Sequence, residues 1–305
     1  MKQEQASSTA KVIAASTVLL AHSPQTAALV APGADRLCAA FLSVSAGDRL
    51  LCASARHRVM RPLWHALEQL THPGITRHYW HRKSWIEERC RLAIAEGVRR
   101  VVVIGAGFDT LALRLAPSFP AVTWVEVDHP ATQGQKRRGM SNCQIATPAN
   151  LHFVGADLAR DSHWTQHIGA NDQPTLVIAE GLLMYLTPDR VQSLLRDQLP
   201  SLASGGLRVI FSYMVRWPTG RGGFRPSSRL VEAWLRRQHE PFTWMMAPAA
   251  APQWLGAMNY QIVEHRQPPY RDPGLSAAVP AGLQGENLIE AIRMQVSTAV
   301  PGRNR

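Results

Sequence analysis

Three acidic residues, Asp128, Asp157 and Glu180, stand at or just past the ends of three short apolar runs, and Gly105 and Gly107 follow a fourth. Carboxylates at such positions accept hydrogen bonds from sugar hydroxyls or an exocyclic amine and offset a cationic group, while a glycine lets a ligand come down onto the backbone. Glu126 and Asp128 are two residues apart on one run and share a face, so either can take both hydroxyls of a ribose. The competing reading is that one of them only caps or solvates the strand end. The third glycine of a dinucleotide fingerprint would fall at position 110, where the chain has Thr110. The ribose acid suits NAD and S-adenosylmethionine (SAM) equally. Three acids around one edge would repel a pyrophosphate, which tilts the choice toward SAM.

The elements that must position these residues follow from the pattern. Val101-Val102-Val103-Ile104 is a continuous branched apolar run, the mark of a parallel strand buried on both faces. Asp109 or Thr110 can cap a helix running to Pro117. Further strands are expected at Val122–Val127, Leu151–Val154, Thr175–Ala179 and Leu207–Tyr213. Thr187-Pro188-Asp189 opens a helix, with Thr187 as N-cap and proline at N1, that should end before Pro200. The acids then gather at the carboxyl ends of strands two, three and four, where ligands of open α/β sheets bind. Residues 1–97 read as a helical N-terminal cap, with helices at Ser8–Ala21, Gly33–Leu42, Arg58–Leu70 and His81–Glu96. Residues 98–305 read as the cofactor-binding core with irregular C-terminal additions. These include a glycine–proline loop at Trp217–Pro226 that is either a lid or a plain connection, a helix at Arg229–Gln238, a short helix at Gln253–Met258 and a late strand at Tyr260–Glu264. Residues after about 268 are expected to be mostly loop, with a last helix at Asn287–Val296. The fold class expected is α/β, a Rossmann-like doubly wound sheet.

Four blocks, VVVIGAGFDTLALRLA (101–116), VEVDHP (125–130), GADL (155–158) and LVIAEGLLMYLTP (176–188), together resemble the leucine carboxyl methyltransferase family, whose bacterial branch includes polyketide O-methyltransferases. A fifth, HRKSWIEE (81–88), lies where that family places an arginine. The resemblance covers roughly residues 75–215 and implies a class I SAM-dependent methyltransferase. It implies that Arg82 binds the methionine carboxylate, Gly105 is the close backbone approach, Asp128 is the ribose acid, Asp157 and Leu158 contact adenine, and Glu180 faces the methionine end. Arg82 could instead form a surface salt bridge with Glu87 or Glu88, and either Arg82 or the adjacent Lys83 could point inward. The family's eukaryotic members methylate a protein C-terminal carboxylate, some relatives act on a modified tRNA base, and bacterial ones act on small aromatic metabolites.

The chain has 305 residues, 46% of them hydrophobic, enough for one full α/β domain with additions. No apolar run is long enough to span a membrane, and Val12–Ala21 fits a packed helix better than a secretory signal. The four cysteines have no metal spacing, and reduced, cytoplasmic thiols are expected. The net charge of +11 comes mostly from arginine and reads as solvated helix faces, since no nucleic-acid module is present. Twelve histidines include no HExxH, so surface or capping roles are expected and no metal site. The function expected is methyl transfer from SAM to a carboxylate or hydroxyl oxygen of a small molecule, with no membrane partner and an undetermined oligomeric state. A hydroxyl acceptor requires a base, with histidine the first choice by type. Tyr185 either orients the acceptor oxygen or is a packed aromatic at the pocket rim, and Arg216, Arg221 or Arg225 could hold an anionic acceptor. The rivals are an NAD-dependent oxidoreductase and a non-catalytic SAM-binding relative.

Overall fold

A computed structural model describes residues 6–220, 222–268 and 283–294. Its centre is an eight-stranded sheet with β1 at Arg100–Ile104, β2 at Thr123–Asp128, β3 at Leu151–Gly155, β4 at Thr175–Ala179, β5 at Leu207–Val215, β6 at Met245–Met246, β7 at Tyr260–Arg266 and β8 at Glu286–Arg293. The strand order is β3-β2-β1-β4-β5-β8-β7, with β6 on β5. The first five strands are parallel, in the registers Val101↔Trp124, Val101↔Leu176 and Val177↔Val209. β8 runs antiparallel between β5 and β7.

The continuous apolar run of β1 has its physical reason in two cores. Val101 and Val103 pack on one face with Phe41, Trp85 and Leu111, while Val102 and Ile104 pack on the other with Val125, Val177 and Leu194. Both faces are covered by helices, as parallel sheets require. These helices are α1 (Ser8–Ala21), α2 (Ala34–Phe41), α3 (Ala46–Arg56), α4 (Arg61–Thr71), α5 (Ile75–Ala95), α6 (Leu111–Leu115), α7 (Pro130–Asn142), α8 (Pro188–Ser193), α9 (Leu199–Ser201), α10 (Arg229–Gln238) and α11 (Ala251–Gly256). One hydrophobic cluster joins α1, α2 and α5 to β1 and α6, so the N-terminal helices are part of the main core.

Four local expectations are corrected. The segment expected as a helix from Asn287 is strand β8 as far as Arg293. Leu288 packs with the first core, and Ile289 and Ala291 with the second, an alternation that only a strand between two layers produces. The helix opened by Thr187 does not stop before Pro200; it passes through a π-helical stretch, Leu194–Gln198, into α9. The Thr187 side chain makes no capping bond. Helix α3 was not expected, because it buries only Asp48, Cys52 and Ala55 and leaves Leu50 exposed. Residues 269–282, expected as loop, and Val296 lie outside the described residues.

Candidate active site

The β1–α6 turn is set by its glycines. Gly105 has φ of +63°, and a Cβ there would come within 2.8 Å of the Leu182 side chain. Only glycine meets both conditions without strain. The turn leaves the Gly107 N–H pointing at Asp128, whose Oδ2 accepts from it at 2.6 Å, while Oδ1 accepts from the His129 N–H at 2.6 Å. The Asp128 carboxylate is thereby fixed at the end of β2. Burial pushes it up to about 6, against these two backbone donors. Glu126, on the same strand face, is elsewhere: it is 1% exposed and takes the Lys136 ammonium at 2.6 Å. Burial pushes Glu126 up to about 7 although Lys136 opposes it. Lys136, in the basic run Lys136-Arg137-Arg138, is thus buried and not on a solvated helix face.

A cavity of about 440 Å³ opens over the carboxyl ends of the strands. Gly105, Asp128, Asp157, Leu158, Glu180, Arg82, Lys83 and Tyr185 all line it. The cofactor-site residues that the family resemblance implies, together with Tyr185, are therefore brought to one hollow. α1 and α5 close it from above through Thr9, Ile13, Tyr79 and the two cations.

Arg82 is 3% exposed and does not pair with Glu87 or Glu88. Its Nε donates to Glu180 at 2.8 Å, and its Nη1 donates to both oxygens of Glu286 at 2.8 Å. Glu87 is taken instead by Arg91 and Arg114. Lys83 also faces inward, donating to Asp109 at 3.0 Å and to Glu180 at 3.2 Å. Burial opposes the charge of Arg82, but Glu286 and Glu180 outweigh it and raise its pKa. Burial likewise opposes ionisation of Glu286, yet Arg82 and His78 hold it down at about 2. His78 meets Glu286 at 2.7 Å.

Glu286, Asp109 and His78 belong to this site and were not singled out in it from the sequence. Asp109 was read only as a cap, Glu286 fell at the edge of a supposed helix, and His78 was expected at the surface. His72, His78 and His81 are all buried, at 7%, 4% and 9% exposure. No group of three or more potential metal ligands occurs among the described residues. The four cysteines are free, with Cys143 exposed. Arg216 and Arg225 do not reach the cavity: both are exposed, and the Arg225 guanidinium stacks 4.0 Å over the Trp217 ring. Arg221 lies outside the described residues. The Trp217–Pro226 loop is pinned by a bond from Trp217 Nε1 to the Gly223 carbonyl, and it sends Phe224 into the cavity wall.

The far end of the cavity is aromatic. Phe224 and Phe242 lie 6.3 Å apart, and Phe242 and Tyr185 lie 5.7 Å apart. Burial pushes the Tyr185 hydroxyl well up, so it stays protonated and can donate. No described helix is long and apolar enough to cross a membrane.

This is a Rossmann-like fold with a hollow suited at one end to a hydroxylated, cationic ligand and at the other to an apolar one. A solved structure from Thermobifida fusca, provisionally titled a methyltransferase, shares that fold with a TM-score of 0.58 at 18% identity, over 85% of this chain and 94% of that one. The model of the leucine carboxyl methyltransferase family matches residues 12–198, and the chain belongs to that family. A Mycobacterium tuberculosis protein provisionally named an S-adenosyl-L-methionine-dependent methyltransferase is 31% identical over 220 residues, 68% of this chain and 66% of its own length. A Frankia alni protein of like description is 36% identical over 137 residues, 42% of this chain and 45% of its own. A third, from Mycobacterium sp. strain KMS, is 31% identical over 154 residues, 49% of this chain and 57% of its own. The chain thus spans about half to two thirds of the length of these relatives.

Proposed function

We propose that the protein is a SAM-dependent methyltransferase acting on an oxygen of a small-molecule acceptor. The observation that carries this reading is the convergence of Asp128, Asp157 and Glu180 on one cavity beside Gly105. A carboxylate triad with a backbone approach fits a ligand that has ribose hydroxyls, an adenine amine and a positive charge. Asp128 takes the ribose, Asp157 and Leu158 take the adenine, and Glu180 offsets charge at the methionine end. Arg82 and Lys83 keep N–H donors near that end for the methionine carboxylate. Bound SAM would supply an activated methyl group. The residues around it align the acceptor and exclude water, which is most of what an in-line displacement requires. Tyr185, protonated, orients the acceptor oxygen.

Thermal-shift measurement with SAM and with NAD tests the reading. Stabilisation by SAM is the expected result; stabilisation by NAD alone would replace it with an oxidoreductase.

A further inference from the structure

Glu240 is 6% exposed and stands in the wall of the cavity at its aromatic end. Its backbone is held on both sides. The Glu240 N–H donates to the Leu235 carbonyl at 2.9 Å and closes α10. Three residues on, Thr243 donates from its N–H to the Met184 carbonyl at 2.7 Å and from its hydroxyl to the Leu186 carbonyl at 2.7 Å. The segment from Glu240 to Thr243 therefore runs alongside Tyr185, and its Phe242 ring lies 5.7 Å from the Tyr185 ring. The Glu240 side chain is tied through one oxygen. Oε2 accepts from the Thr9 hydroxyl at 2.5 Å and from the Thr9 N–H at 3.4 Å. Oε1 has no hydrogen-bond partner among the described residues, and protein atoms do not close it off. With the side chain in the cavity wall, that oxygen opens into the hollow.

No full positive charge meets it. The lysine and arginine side chains of the wall are Arg82 and Lys83, both committed to carboxylates at the proposed methionine end, and Arg160, beside Asp157. Arg236 and Arg237, in the last turn of α10, are exposed and do not line the cavity. The two helix ends beside Glu240 oppose each other, since α1 begins there with N–H groups and α10 finishes there with carbonyls. A carboxylate taken out of water is costly unless a cation accompanies it. The surfaces around it are ring faces. Phe224 lies 6.3 Å from Phe242, and Trp234 lines the same hollow. Aromatic faces attract a cation and offer nothing to an anion.

We propose that Glu240 Oε1 recognises an ammonium group carried by the methyl acceptor, so that the substrate class is hydroxylated amines bound as cations. The proposal rests on the methyltransferase reading and names the substrate class within it. The ammonium donates to Oε1 and packs against the rings, while a separate oxygen of the same molecule receives the methyl group. An acceptor that carries a carboxylate in place of the ammonium meets a like charge and is refused. Glu240 thus sets specificity and takes no part in the bond changes.

Calorimetry on the full-length protein loaded with S-adenosylhomocysteine tests this with three phenols of similar shape: tyramine, 4-ethylphenol and 4-hydroxyphenylacetate. At pH 7 the wild type binds tyramine about 10- to 100-fold more tightly than 4-ethylphenol, and 4-hydroxyphenylacetate more weakly than either. Glu240→Gln keeps an oxygen for Thr9 and removes the charge. In that variant the affinity for tyramine falls to that for 4-ethylphenol, while the affinities for 4-ethylphenol and for SAM are those of the wild type. Thr9→Val loses the hydroxyl tie, keeps the carboxylate and retains the preference for tyramine. Binding of none of the phenols, no preference for tyramine in the wild type, or a preference that survives in Glu240→Gln overturns the proposal. An equal loss for all three phenols in Glu240→Gln makes the residue a mere fastening for α1, and a loss of SAM affinity makes it part of the cofactor site; either result also overturns it. Failure of the wild type to bind SAM and S-adenosylhomocysteine overturns the methyltransferase reading instead.

Discussion

The two ends of the cavity are built on opposite principles. At the proposed methionine end, Arg82, Lys83, Asp109, Glu180, Glu286 and His78 form a largely buried network in which Arg82 and Lys83 are each tied to two carboxylates. At the acceptor end, aromatic rings stand at 5–6 Å spacings and the polar groups are few. A network of paired charges is rigid, because each member leaves another charge bare if it moves. Aromatic walls give area and shape without fixing one partner. The first arrangement suits a ligand common to a whole family; the second suits one that differs between members.

The largest expected effect tests the rigidity of the first end. Glu286→Ala leaves Arg82 and His78 without their shared carboxylate and should cost about 3–5 kcal/mol of stability by urea unfolding. The wild-type contribution is pH-dependent with a definite sign. Glu286 has a folded pKa of about 2 against an ordinary 4.5, so its stabilisation is complete above about 4.5 and is lost as pH falls toward 2. A variant as stable as wild type at pH 7 would mean that the network is not what holds this end together.

Next in size is Asp128→Ala, which should weaken SAM binding by about 1–3 kcal/mol in calorimetry without unfolding the protein. Unchanged affinity would remove the ribose assignment. Smaller still is the titration of the same group. With Asp128 near 6, SAM affinity should fall by about 1 kcal/mol between pH 7 and pH 5, and Asp128→Asn should flatten that slope. The smallest effect sharpens the outer boundary of the acceptor end. Arg225→Ala loses a solvent-exposed contact with Trp217, so stability should change by less than about 1 kcal/mol and methyl transfer should be unaltered. A large loss of activity would return Arg225 to the acceptor site.

The same contrast explains what could be read from the sequence. Strands β1, β2 and β4 were legible because doubly buried parallel strands are short branched runs that end in glycine or a carboxylate, as at Ile104-Gly105 and Val127-Asp128. The residues of the family blocks sit on those ends, so they arrive at the cavity together. Glu286 was not legible, because a carboxylate inside a strand is intelligible only with its partner, and Arg82 is 204 residues away. The helical reading of Asn287–Val296 was itself only partly in phase, a signal that a strand period was the alternative. His72 gave less still. A lone histidine before Pro73 carries no periodic signal, and its burial comes from Phe224 on a distant loop.

The antiparallel insertion of β8 between β5 and β7 has a consequence for synthesis. The helix bearing Arg82 leaves the ribosome long before the strand bearing Glu286, so for most of translation the guanidinium has Glu180 at best to neutralise it. That end of the hollow therefore cannot reach its final form until β8 has been made and has slid in between β5 and β7 to seal the charge.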